Sequence, residues 1–237
     1  MITLLNIIFG YLQVLSKSKP NSENKEIIIL GMHRSGTSLV SGLLTTLGVY
    51  MGKDFDGPTP SNPVSHFEDM EFRKLNDRIL KFSGGEWDNL PKESEIRKSQ
   101  KKFSKPIVSL VKKRSKYKIW GWKDPRTVLT IDLYMQSLKN PYFIIVFRNP
   151  LSIALSLNNR KSRPIESGLK LSSVYNQRIV NFLKKYPNTK KILINYEDLI
   201  LDPVSELRKI IEFIQIKPTL KKYISAYKLI NKKFKRF

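Results

Sequence analysis

Short unbroken apolar runs alternate along this chain with longer stretches whose apolar residues recur every three or four positions. The clearest runs are Glu26–Leu30 (EIIIL) and Tyr142–Phe147 (YFIIVF), which suit parallel strands buried on both faces. Tyr117–Gly121 and Lys191–Asn195 are weaker strand candidates. Helical spacing covers Thr37–Leu47, where Leu39, Leu43, Leu44 and Leu47 share a face and Gly48 supplies the stop. It recurs from about His66 to Lys81, over Thr127–Leu138 behind Pro125, and over Leu151–Asn159, Leu171–Lys185 and Val204–Ile214. Asp202-Pro203 is a good opening for the last of these. Basic helices are predicted around Lys92–Ser115, interrupted near Pro106. There is no internal repeat. Strands alternating with helices predict an α/β fold, a parallel sheet of about 4–5 strands flanked by helices on both faces.

The two ends of the chain read differently. Ile2–Leu15 is apolar but holds Asn6, Gly10 and Gln13. It is too short to span a bilayer core, which needs about 20 residues. It also lacks the leading basic residues and cleavage site of a signal peptide. A docked or interfacial helix is expected, followed by a polar linker over Ser16–Lys25. At the other end Leu220, Ile224, Tyr227 and Ile230 recur at helical spacing, which predicts a helix docked on the sheet. The chain then divides into 1–24, an apolar helix and linker, and 25–237, one α/β domain with a basic C-terminal helix.

Composition narrows the chemistry. Apolar residues at 41% provide a sizeable core. Without cysteine there can be no disulfide, thiolate nucleophile or zinc finger, and two histidines make a His-rich metal site a poor expectation. The net charge is +23. Lys101–Lys118 and Lys217–Phe237 each carry eight basic residues and no acid, so the chain favours anionic partners. Lysines outnumber arginines, and Ile and Asn are abundant, so an AT-biased genome accounts for the charge equally well.

The first strand runs into Gly31-Met-His-Arg-Ser-Gly-Thr-Ser38 and then a helix. Backbone N–H groups at a helix N-terminus, with the macrodipole behind them, form a phosphate cradle. Gly31 and Gly36 have Walker A spacing and Ser38 fills its Ser/Thr slot, making the sheet P-loop-like. However, Thr37 stands in the lysine slot, and the loop's cation is Arg34. The next strong strand ends in Phe147-Arg148 rather than in an aspartate for magnesium. The cradle is there without the metal machinery.

The loop resembles the 5′-phosphosulfate loop of the sulfotransferases that use 3′-phosphoadenosine 5′-phosphosulfate (PAPS). Arg148-Asn-Pro-Leu-Ser-Ile-Ala-Leu-Ser156 is similar to that family's 3′-phosphate motif, an Arg leaving a strand and a Ser eight residues on. Trp120-Gly-Trp-Lys-Asp-Pro-Arg126 looks like the Lys-Asp-Pro segment of its bacterial and tyrosylprotein branches. Asn195-Tyr-Glu-Asp-Leu199 resembles its Tyr-Glu-Asp strand end. Together these cover Glu26–Ile214. The family's Arg-Lys-Gly segment near the C-terminus is missing, which leaves the 3′-phosphate grip to be completed by the basic tail or Arg126. The cytosolic branch's catalytic His motif is not evident.

The resemblance implies sulfonate transfer from PAPS to a hydroxyl acceptor (glycan, lipid or peptide), with no metal required. Arg34, Ser35, Gly36, Thr37 and Ser38 would hold the 5′ side of the donor, Arg148 and Ser156 its 3′-phosphate, and Tyr196 its adenine. Arg34 and Lys123 would stabilise charge on the transferred group. Glu68 is the candidate base and His66 the runner-up. Each position has a plainer reading. Ser65-x-x-Glu68 also fits a capping box, Lys123 and Asp124 also fit a simple pair, and Tyr196 also fits a core aromatic. His33 reads as a loop-packing residue. Two other functions remain open: an atypical P-loop kinase or nucleotide hydrolase, and a basic module for anionic polymers, though no specific nucleic acid is implied. A cytoplasmic location is expected, with peripheral membrane contact through residues 1–15 as a further reading.

Overall fold

The computed structural model describes residues 4–17, 23–52 and 67–234. Four strands, β1 (Lys25–Leu30), β2 (Ile119–Lys123), β3 (Pro141–Phe147) and β4 (Lys190–Asn195), form one parallel sheet in the order β2-β1-β3-β4. β1 and the middle of β3 are buried throughout, as unbroken apolar runs require. Alternate side chains serve opposite faces. Ile28 and Leu30 enter the core beneath α3 (Met70–Phe82), α5 (Gln100–Arg114), α6 (Thr127–Tyr134) and α8 (Ile165–Lys185). Ile27 and Ile29 face α2 (Thr37–Leu47), α10 (Pro203–Ile214) and α11 (Leu220–Phe234). The short α4 (Glu93–Lys98), α7 (Pro150–Lys161) and α9 (Tyr196–Leu201) complete these layers. At the sheet's lower end the buried Lys25 Nζ donates to the carbonyls of Ile214 (2.8 Å) and Gln215 (3.2 Å), closing the C-terminus of α10.

Several boundaries differ from the sequence pattern. The α3 helix starts at Met70, because Asp69 accepts from the Glu71 N–H and caps it. Glu68 thus stands outside the helix, and the Ser65–Glu68 capping box does not describe its start. The basic segment breaks at Ser99, whose hydroxyl turns back to the Ile96 carbonyl. Pro106 lies inside α5, which costs about 3 kcal/mol in an isolated helix. Here Phe103, Ile107, Leu110 and Val111 form one buried stripe through it, so packing decides. The face of α11 is also rotated: Tyr223, Ala226, Tyr227 and Ile230 are buried while Leu220 is exposed. Near the N-terminus, α1 (Leu4–Lys17) docks on α10 and α11. No helix among the described residues is long and apolar enough to cross a membrane.

Candidate active site

The chain leaves β1 for β2 on one side and returns to β3 on the other. The C-terminal ends of β1 and β3 therefore flank a switch point, where open parallel sheets bind ligands. All four strand ends deliver a candidate residue there. Gly31–Ser38 follows β1, Lys123 ends β2, Arg148 follows β3 and Tyr196 follows β4.

The loop is tightly built. Gly36 has φ +98°, and a Cβ there would stand 2.2 Å from the Tyr196 ring. A side chain on Gly31 would meet Thr37, Ser35 and the Val146 carbonyl, all within 2.8 Å. Arg34 takes the left-handed conformation, φ 70°. Its Nε donates to Ser156 Oγ at 2.8 Å, and Arg148 Nη1 donates to the Arg34 carbonyl at 3.1 Å. The Arg148 guanidinium lies 4.6 Å from the centre of the half-buried Tyr196 ring. Residues more than a hundred positions apart thus meet in one cationic, hydroxyl-bearing corner. Ser35 Oγ is buried and has no hydrogen-bond partner among the described residues. An anion seated against the N-terminus of α2 would satisfy it, so the donor set fits a phosphate. His33 packs its ring on Trp87, centroids 4.2 Å apart, as a loop-packing residue does.

On the other side of the loop, Lys123 is 1% exposed. Its Nζ donates to Glu68 Oε1 at 2.9 Å and to Ser38 Oγ at 3.3 Å. Arg73 approaches the second Glu68 oxygen at 3.8 Å. Burial alone would raise the Glu68 carboxyl, but Lys123, Arg126 and Arg73 outweigh it and hold it below its ordinary value. Burial pushes the Lys123 ammonium down, against the pull of Glu68. Lys123 pairs with Glu68, whereas its neighbour Asp124 takes Arg126 (2.8 Å). Arg126 also faces Asp77 at 2.5 Å. A guanidinium committed to two carboxylates is poorly placed to replace the missing Arg-Lys-Gly segment. His66 lies outside the described residues.

One part of this region escaped the sequence reading. Asn76 is fully buried. Its amide donates to Asp124 Oδ2 (2.8 Å) and Thr127 Oγ1 (3.1 Å) and accepts from Thr130 Oγ1 (2.8 Å) and the Tyr134 hydroxyl (2.9 Å). This network stands behind the Lys123–Asp124 strand end. Its signal was an asparagine on the apolar face of α3, among Phe72, Leu75, Ile79 and Leu80. The basic segment is also partly structural. Arg114 is buried against Asp69 at 2.7 Å, with Glu71 beside it, and Lys113 pairs with Glu71 at 2.8 Å.

Glycine-bounded loop, cationic corner and buried cation all converge on one end of a parallel sheet, which defines an α/β protein whose strand ends gather donors that fit a phosphate. Residues 26–219 match the model of the sulfotransferase family, and the chain belongs to that family. It is thereby a transferase, and the kinase, hydrolase and polymer-binding readings are not favoured. Solved structures agree on the fold. The sulfotransferase domain of the Synechococcus olefin synthase is similar at TM-score 0.57 and 19% identity, over 89% of this chain and 80% of that one. The sulfotransferase domain from the curacin biosynthetic pathway gives 0.56 and 18%, over 88% and 79%. A Mycobacterium tuberculosis sulfotransferase gives 0.51 and 14%, over 94% and 76%. No curated protein matches significantly.

Proposed function

We propose that this chain moves a sulfonate group from PAPS to a hydroxyl acceptor, of which a glycan, a lipid and a peptide are the candidate classes, with no metal required. The donor, when bound, supplies an electrophilic sulfur and a phosphate leaving group. The observation that carries this reading is the Arg34–Ser156–Arg148 corner beside the loop. Its guanidinium and hydroxyl groups offer a second anion site beside the loop, which a 3′-phosphate would fill.

The chain's own residues divide the work. Loop N–H groups, Ser35, Gly36, Thr37 and Ser38 would hold the 5′ side, and Arg148 and Ser156 the 3′-phosphate. Arg34 borders both. Tyr196, packed on Gly36, would place the adenine. Glu68 would take the acceptor's proton as its oxygen bonds to sulfur and the sulfur–phosphate oxygen bond breaks. Tied to Lys123, Glu68 is a weak base. Lys123 already touches both Glu68 and Ser38 of the loop, so a small move of its ammonium toward the transferring group would stabilise charge there and release Glu68. Base and electrostatic stabiliser would then be switched on together.

Titration calorimetry tests the reading. The bisphosphate product, 3′-phosphoadenosine 5′-phosphate, should bind more tightly than AMP by about 1.5–3 kcal/mol per charged contact. Equal affinities would overturn it.

A further inference from the structure

We propose that α1 seats this protein on an anionic membrane surface. The helix is apolar nearly all round, and its inner side is already occupied. Gly10 lies against Val204 and Tyr223, the Tyr11 hydroxyl donates to the Pro218 carbonyl, Arg208 bonds Gln13, and Val14 is buried. The outer side remains. Leu5, Phe9 and Leu12, one above another at helical spacing, are 75%, 63% and 55% exposed. A large apolar stripe held outward on a docked helix marks an interaction surface.

Charge selects the occupant. The segment beside α1, residues 217–228, carries exposed Lys217, Lys221, Lys222 and Lys228 and no acid. A second copy of a chain with net charge +23 would be repelled. An anionic lipid surface would attract the lysines and accept the stripe, which is how interfacial helices bind. At 14 residues the helix can lie on a bilayer but not span it. Its direction is also informative. Gly10 meets Val204 and Gln13 meets Arg208, so α1 runs parallel to α10. Its Leu5 end therefore points toward the end of the sheet that carries the candidate site, where Leu201 is 76% exposed.

Vesicle sedimentation of the full chain tests this. Binding to phosphatidylcholine vesicles containing phosphatidylglycerol, and little to phosphatidylcholine alone, is expected. Replacing the stripe (Leu5→Gln, Phe9→Gln, Leu12→Gln) should weaken binding at least about tenfold without lowering the melting temperature. Undiminished binding of that variant would show that the lysines act alone and would overturn the proposal. So would failure to bind either vesicle, or a wild-type dimer that the variant dissolves. Should the triple variant fail to fold, Phe9→Trp serves instead. A blue shift of its emission with anionic vesicles supports the proposal, and unchanged emission overturns it.

Discussion

Lys123 Nζ lies 2.9 Å from Glu68 Oε1, deep at the foot of the Gly31–Ser38 loop, and the two residues are 55 positions apart in the chain. The pair joins the end of β2 to the residue just before the Asp69 cap of α3. Two facts of local structure put Glu68 there. Phe67 takes a left-handed turn, φ 48°, and its carbonyl accepts from the Ser41 hydroxyl at 3.1 Å. Asp69 then starts the helix four residues later than a Ser65–Glu68 capping box would. The carboxylate is left to face the site.

Glu68→Gln should separate binding from chemistry. The bisphosphate affinity is expected to stay unchanged, while turnover, followed as release of 3′-phosphoadenosine 5′-phosphate, falls by roughly 10²–10⁴-fold. Full activity in this variant, with His66→Ala inactive, would move the base to His66. The same assay should be indifferent to a metal chelator.

The pH behaviour of Glu68 follows from its partners. Its folded pKa is depressed, so the stability it contributes is present above the unfolded carboxyl value. That stability disappears as pH falls through the lower folded value. Lys123→Met removes the largest opposing charge and leaves the buried carboxylate only Arg73 and Arg126, a loss of up to about 3–5 kcal/mol. The Glu68 carboxyl should then titrate above its wild-type position, shifting the acid limb of unfolding upward. In Lys123→Met with Glu68→Gln much of the stability should return. Strict additivity in that cycle would show that the two groups do not interact.

Gly36→Ala probes the loop directly. Positive φ already disfavours any side chain there, and the Cβ would run into the Tyr196 ring. A loss of about 1–3 kcal/mol is expected from the backbone strain alone, together with weaker bisphosphate binding. Adding Tyr196→Ala should relieve the collision but not the strain. A Gly36→Ala protein as stable as wild type would mean that the loop backbone relaxes out of its positive φ as well as that Tyr196 moves aside.

The sheet was legible because β1 and β3 are central strands whose burial on both faces leaves an unbroken apolar signature. The loop and Arg148–Ser156 were legible because each is a local motif at a strand end. What brings Arg34 to Ser156, and Lys123 to Glu68, is the strand order, which no local pattern encodes. The six-residue α9 left a signal that went unused. Asn195 is followed, after Tyr196, by two acids, and its side chain accepts from the N–H groups of Glu197 (2.7 Å) and Asp198 (3.2 Å). Pro106 misled for the opposite reason: a strong local preference lost to a buried stripe.

Asn76 offers a test of how firmly the site is backed. Every polar atom of its amide is used, and its four partners are themselves buried or half-buried in the wall behind Lys123. Asn76→Leu keeps the branched shape but takes the partner from Asp124 Oδ2 and from the Thr130 and Tyr134 hydroxyls, each group left unpaired costing about 1–3 kcal/mol where it cannot relax. A clear drop in melting temperature is expected. Asn76→Asp is the more informative change. It sets a second carboxyl beside Asp124, whose own carboxyl burial already raises. One of the two should remain protonated well above its ordinary value. A raised folded pKa contributes stability below the unfolded value and loses it as pH rises. Asn76→Asp should therefore melt closest to wild type in mild acid and fall behind steadily toward neutrality, whereas Asn76→Leu should show no such slope. If both variants track wild type in parallel across that range, the amide does not hold Asp124 in place.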